Sequence, residues 1–324
     1  MIRRRMMFVW LLLIAALPGI AFSQTRDYPN REIEIVVPNP PGGSVDLGSR
    51  ILGETLSKDL GVPIIVSNKS AGGGAAGAEY VLNAKPDGYK LLAAPHPLLV
   101  ALPETMPGVT FRWNSFVPII QFAHQPYTFI IRAESPFQTV NDLVAFAKKN
   151  PGKLNASGTG AGQTTHFLFE AWREAAGVDI GFIPYKGGAE YTAALLGGHV
   201  DITIGGIAPS VGVLKSGKAK ILVSTAKLKD YPQVPTFAEL GFPALNLQFY
   251  ITMLAHKDTP KEFVEKLEKA MEKALQNPTV IEKLDKLGLD TVVVKGKTLV
   301  NSLDKESKDF NKVADKMRKA IQGK

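Results

Sequence analysis

Three short loops hold the groups best able to do chemistry in this chain: Pro40-Pro41-Gly42-Gly43-Ser44, Gly158-Thr159-Gly160-Ala161-Gly162 and Lys186-Gly187-Gly188. Each lies between a strand-like apolar run and the start of a helix-like segment. Small residues there leave the first N–H groups of the helix unpaired at the positive end of its dipole, a ready anion site. Any one of these loops could be only a tight turn that needs glycine. Three of them, spread over both halves of the chain, point to a carboxylate or phosphate held in a cleft.

The patterns of covalent and metal chemistry are missing. With no cysteine there is no thiolate zinc site, iron–sulfur cluster, Cys nucleophile or acylated lipoprotein N-terminus. The five histidines (96, 124, 166, 199, 256) have no helical ligand spacing, and neither His-Glu-x-x-His nor Gly-x-Ser-x-Gly occurs. Gly212 to Ala219 approaches a P-loop but lacks its closing hydroxyl and lies at the end of a helix. Gly158 to Gln163 approaches a dinucleotide fingerprint but has Gln163 where the last glycine belongs. An exported hydrolase built on Ser44 or Ser157 lacks a recognisable base. Catalysis, a cofactor and a bound metal are therefore not expected.

Apolar strand-like runs alternate with helix-like segments, which predicts an α/β chain with mostly parallel sheets. Ile33 to Val37 reads as the first strand, and a helix from Val45 ends at Gly61. A glycine-rich loop, Asn68 to Gly74, precedes a short helix and the strand Tyr89 to Ala94. Pro95 to Pro126 reads as an irregular excursion that includes the strand Val117 to Phe122. A second α/β series follows, with helices at Val140 to Lys149, Gln163 to Ala176 and Gly188 to Leu196. Asp258 or Thr259 should cap a helix with Pro260 at its first position, whose buried stripe is Phe263, Leu267, Ala270, Met271 and Ala274.

At 324 residues two cores are expected, because single cores stop growing near roughly 250 to 300 residues. The middle series forms one lobe, 125–248. Residues 24–124 and 249–324 form the other, with crossings near 124 and 248 and a cleft that can hinge.

Residues 1–23 read as an export signal: Arg3 to Arg5, an apolar run from Met6 to Leu17, then Pro18-Gly19 and a small-residue site with cleavage near Ser23. The run is shorter than the roughly 20 residues of a spanning helix. Three of the 38 basic residues lie in it and none of the 30 acids, so the excess falls from +8 to +5. The remaining Lys and Arg are diffuse, and nucleic acid is not an expected partner.

One set of blocks goes beyond pattern. Tyr28-Pro29-Asn30-Arg31, Ile35 to Asp46, Pro86-Asp87-Gly88-Tyr89, Pro184-Tyr185-Lys186-Gly187-Gly188-Ala189, Leu195 to Asp201 and Val234-Pro235-Thr236 occur in this order. Together they resemble the tripartite tricarboxylate transporter substrate-binding (Bug) family. The resemblance implies a monomeric periplasmic receptor with a two-lobed, type II binding-protein fold. Such a receptor closes on a small organic acid and delivers it to integral-membrane transporter subunits, or alternatively signals to a membrane kinase.

By the same resemblance Pro41, Gly42, Gly43 and Ser44 meet the carboxylate, with Asp46 nearby. The facing lobe brings Ser157, Thr159, Gly160, Gln163, Thr164 and His166, and the turn Tyr185, Lys186 and Gly187; Gly73, His96 and Gly206 complete the candidate set. Asn39, commonly an aromatic in the family, and Gly205-Gly206 depart from the usual pattern at the distal contacts.

Several candidates have plainer readings. Gln163 and Thr164 could cap their helix, Lys186 could be solvated, and His166 could be structural. Asp46 would repel an anion, so it either caps the first helix or accepts from a ligand hydroxyl or amine. A branched residue at Gly43 should block the ligand and disfavour any positive φ there.

Overall fold

The computed structural model describes residues 28–106, 108–160, 164–245 and 249–311. The first lobe opens with β1 (Ile33–Val37), α1 (Ser44–Leu60), β2 (Ile64–Asn68), α2 (Ala75–Leu82) and β3 (Lys90–Pro95). The expected irregular excursion instead holds two short helices, α3 (His96–Val100) and α4 (Leu102–Thr105), before β4 (Phe116–His124). The second lobe runs through β5 (Tyr127–Arg132), α5 (Val140–Lys149), β6 (Asn155–Thr159), α6 (Thr164–Ala176), β7 (Gly181–Tyr185), α7 (Gly188–Leu196), β8 (Ile202–Gly206), α8 (Val211–Lys215) and β9 (Ala219–Ser224). The chain then returns to the first lobe as β10 (Tyr250–His256), α9 (Lys261–Leu275), α10 (Pro278–Asp285), β11 (Asp290–Lys295) and α11 (Gly296–Asn311).

The first sheet has the order β11-β4-β10-β3-β1-β2 and the second β7-β6-β8-β5-β9. Successive strand residues point to opposite faces, so Ile35 joins a core with Leu52 and Met271, while Val36 joins another with Ala78 and Leu99. In the second sheet Phe129 packs with Trp172 and Phe237, and Ile130 with Leu195. Both lobes are thus sheets covered on both faces by helices.

Two expectations are corrected. The sheets are mixed rather than mostly parallel: among the described pairings four are parallel and five antiparallel. The reason is the interlobe passage. β5 and β10 are the strands that follow each crossing, and each pairs antiparallel with both of its neighbours. The second correction is at α9, where Pro260 is the residue before the helix, with extended ψ of 134°, rather than its first position. Its stripe is Val264, Leu267, Met271, Ala274 and Leu275, and Phe263 instead stacks on Tyr28 with ring centroids 4.0 Å apart.

The two passages between lobes lie side by side. The N–H of Gln125 donates to the carbonyl of Phe249 at 2.6 Å, and the Phe249 ring packs edge-on against Tyr127 at 4.1 Å. Residues 246–248, where the second crossing was expected, lie outside the described residues.

Candidate functional site

The loop between β1 and α1 is pinned by one buried carboxylate. Asp46 accepts from the Gly42 N–H at 2.9 Å, from Arg50 Nε at 3.0 Å and from Asn68 Nδ2 at 3.0 Å, and Asn68 Nδ2 also donates to the Asn39 carbonyl at 2.9 Å. Burial pushes the Asp46 carboxyl up, but hydrogen bonds from Arg50, the Gly42 N–H and Asn68 outweigh it and hold the group below the usual carboxylate range. Asp46 is therefore a clamp on the loop. The positive φ sits at Gly42 (80°), not at Gly43 (−82°), so the backbone objection to a branched residue applies one position earlier than expected. Helical bonding in α1 begins with Leu47 N–H to Gly43 O at 2.9 Å, leaving the preceding N–H groups without an intrahelical acceptor.

The second lobe presents a matching helix start. Gly187, extended and buried, precedes α7, and its carbonyl accepts from the N–H groups of Glu190 and Tyr191 at 3.2 Å each. A Cβ on Gly187 would lie 3.0 Å from Cβ of Pro40, so the loops of the two lobes touch here. A Cβ on Gly206 would lie 2.5 Å from Gln125 Nε2 and 2.7 Å from Ser44 Oγ, and one on Gly205 would meet the Tyr191 hydroxyl at 2.3 Å. Glycine at 187 and 206 is a steric condition for the lobes to meet, whereas Gly205 makes room for Tyr191 within the second lobe.

These elements enclose a small cavity of about 40 Å³. Gly43, Ser44 and Val45 line it from the start of α1, and Gly187 and Gly188 from the start of α7. Asn39, Pro40, Gln125, Tyr127, Thr159, Thr165, Tyr191, Gly205, Gly206 and Pro209 complete the described wall, so no charged side chain is among it. Burial raises the phenols of Tyr127 and Tyr191 well above the ordinary tyrosine value, in Tyr127 against the opposing effect of hydrogen bonds with Thr164 and Gln125. Both remain neutral O–H groups, able to donate. Thr165 Oγ1 donates to the Thr159 carbonyl at 2.9 Å and lies 3.1 Å from Thr159 Oγ1. The chemistry on offer is hydrogen-bond donation to an anion, without a countercharge and without a nucleophile–base pair.

Pro40 and Gly187 also border a larger outer vestibule of about 580 Å³, lined by Pro41, Ser70, Gly73, Gly160, Tyr185, Lys186, Ala189 and Glu190. Lys186 and Glu190 make it polar, and the Lys186 N–H donates to Glu190 Oε2 at 3.0 Å.

The predicted residues sort accordingly. Gly43, Ser44, Thr159, Gly187 and Gly206 reach the small cavity, while Pro41, Gly73, Gly160, Tyr185 and Lys186 reach the vestibule. Gly42, Asp46 and Thr164 line neither: Asp46 pins Gly42 in the loop that leads to Gly43 and Ser44, and Thr164 bonds the Tyr127 phenol, which lines the small cavity. His96 is buried in the first lobe, Nδ1 2.7 Å from Glu306 Oε2 and Nε2 2.9 Å from Thr252 Oγ1; it ties the start of α3 to β10 and α11. Ser157 donates to the Ile202 carbonyl at 3.3 Å within the sheet. His166 stacks on Phe182 at 4.5 Å, with Nε2 3.7 Å from Glu170. Gln163 lies outside the described residues. Gln125, Tyr127, Thr165 and Tyr191 were missed: a residue of the interlobe passage, a strand residue and two helix residues carry no local motif.

A family profile described as tripartite tricarboxylate transporter family receptor matches residues 49–318. The protein BugT of Bordetella pertussis is 31% identical over 284 residues, covering 86% of this chain and 87% of BugT. The structure of periplasmic binding protein BugD is 29% identical with a TM-score of 0.83, covering 90% of this chain and 98% of BugD. MatC from Rhodopseudomonas palustris, solved with bound malate, is 26% identical with a TM-score of 0.81, covering 89% of this chain and all of MatC. The profile covers most of the chain and elements of both lobes, and the chain therefore belongs to the tripartite tricarboxylate transporter receptor family.

Proposed function

We propose that this chain is an exported, monomeric receptor that takes the carboxylate of a small organic acid between its lobes and passes it to integral-membrane transporter subunits. The observation that carries this reading is the convergence of α1 and α7, from opposite lobes, with their N-termini on one cavity whose described wall is uncharged. Two helix ends favour an anion by roughly 0.3 to 1 kcal/mol each, and more in partly buried geometry. Ser44, Thr159 and the neutral phenols add donors.

The lobes are 24–124 with 249–324, and 125–248. They turn about the paired passage at Gln125 and Phe249, and the export signal ends near Ser23, outside the described residues. Malate in MatC favours a carboxylate over a phosphate. Binding without catalysis fits a receptor family and a site lacking a nucleophile–base pair.

A thermal-shift screen against mono- and dicarboxylates tests this, because a ligand that binds only the native state raises the melting temperature by mass action. The expected result is a shift for a subset of acids and none for inorganic phosphate. For an acid that shifts the protein, small-angle scattering at saturation should give a smaller radius of gyration than without it. A shift with phosphate alone, or an unchanged scattering profile at proven saturation, would overturn the reading.

A further inference from the structure

Asn39 stands in the wall of the small cavity with its side-chain oxygen buried and unpaired. Oδ1 has no hydrogen-bond partner among the described residues, although Ser44, Gln125, Tyr127, Thr159, Thr165 and Tyr191 share that wall. The backbone around it is held firmly. The Asn39 carbonyl accepts from Asn68 Nδ2, which also donates to Asp46, and Asp46 fixes Gly42. A loose loop therefore does not account for the orphan oxygen. A buried acceptor left without a donor is destabilising, and in a binding cavity the natural partner is a group on the ligand.

That partner is not the carboxylate. An ionised carboxylate only accepts, as does an amide oxygen, and two acceptors facing one another repel. Resting on the receptor reading above, we infer that the acid bound here carries a hydrogen-bond donor, a hydroxyl or amino group, on the carbon next to its carboxylate, and that Asn39 Oδ1 accepts from it. The receptor reading puts the carboxylate on the helix start at Gly43 and Ser44, and in a cavity of about 40 Å³ shared with Asn39 a donor that meets Oδ1 has room only close to that anion. A phenylalanine or tryptophan side chain at position 39 would offer no such acceptor. Asn39 thus selects substituted over plain acids, while the helix ends grip the carboxylate common to both.

The experiment compares three matched series by calorimetry: propionate, lactate and alanine; succinate, malate and aspartate; phenylacetate, mandelate and phenylglycine. Each is measured on the full protein and on Asn39→Leu, which keeps the volume and removes the amide. The hydroxy or amino member of a bound series should bind at least tenfold more tightly than its plain parent, and the better of the two names the donor. Asn39→Leu should level that ratio by weakening only the substituted acid, with an unliganded melting temperature no lower than that of the parent protein. Asn39→Ala should level it too, which guards against a variant that fails to fold.

Equal affinity for plain and substituted acids overturns the inference and leaves the receptor reading standing. Equal weakening of both by Asn39→Leu would mean that the amide donates to the carboxylate, and also overturns it. If none of the nine acids binds, both readings fall.

Discussion

The small cavity and the vestibule are neighbours across the Pro40–Gly187 contact, yet they are built on opposite principles. The inner space is tight, and its described wall holds no charge and consists of helix starts, hydroxyls and glycines whose missing side chains let two lobes touch. The outer space is many times larger and bordered by Lys186 and Glu190. Buried neutral donors bind an anion without the desolvation that a buried cation would require. Exposed charges on a rim act on approach and on selection of the distal group, and contribute little to the grip. Closure and grip should therefore be decided inside, and tuning outside.

That contrast can be broken most forcibly at Gly206. A Gly206→Val side chain would enter the space of Ser44 Oγ and Gln125 Nε2 and hold the lobes apart. We predict at least a hundredfold loss of affinity for any acid identified by the screen, about 2.7 kcal/mol, with scattering that no longer contracts at high ligand. Retained tight binding by the folded variant would remove this contact from the closed state.

A smaller effect is expected from the hydroxyls on the second lobe. Replacing Thr159 and Thr164 by valine together removes one donor from the wall and one partner of the Tyr127 phenol. Affinity should fall about tenfold, equivalent to 1.4 kcal/mol, and the residual binding should depend little on salt. Calorimetry at two ionic strengths checks both. Lowered stability with unchanged affinity would reduce these threonines to a structural role.

In the vestibule, Lys186→Met should change affinity by no more than about fivefold, since an exposed ion pair is worth roughly 0.2 to 1 kcal/mol, and only for acids with a second carboxylate. A larger loss for a monocarboxylate would place Lys186 on the grip itself and erase the distinction between the two spaces.

The smallest effect is on pH. The Tyr127 and Tyr191 phenols have folded pKa values raised by burial, so they favour the native state while the unfolded phenols are still protonated and cease to do so as pH rises. Stability should be flat on their account from pH 6 to 9 and fall above the ordinary tyrosine value of about 10. Denaturant titrations across that range report it. A decline beginning near neutrality would show that another group dominates.

Local chemistry fixed much of this protein in advance. Gly61 and Gly177 end α1 and α6 in the left-handed region, as a glycine after a helical stripe should. The alternation of apolar runs named an α/β chain, α5 and α7 took their expected bounds, and the glycine loops before α1 and α7 were visible because the physics of a helix start is local. What the chain does not write locally is which groups face one another. His96, Ser157 and Asp46 were plausible contacts by type, but their partners Glu306, Ile202 and Asn68 lie 210, 45 and 22 residues away, and only packing makes those bonds. Gln125, Tyr127, Thr165 and Tyr191 reach the cavity through the interlobe passage, a sheet register and two helix rotations, none of which leaves a motif. The antiparallel β5 and β10 follow from the chain leaving one sheet and returning to it, a long-range event that strand periodicity does not encode. The sequence determined the helix ends that can hold an anion. The tertiary structure decided that two of them share one cavity, because that depends on bringing residues 43 and 187 together across two sheets.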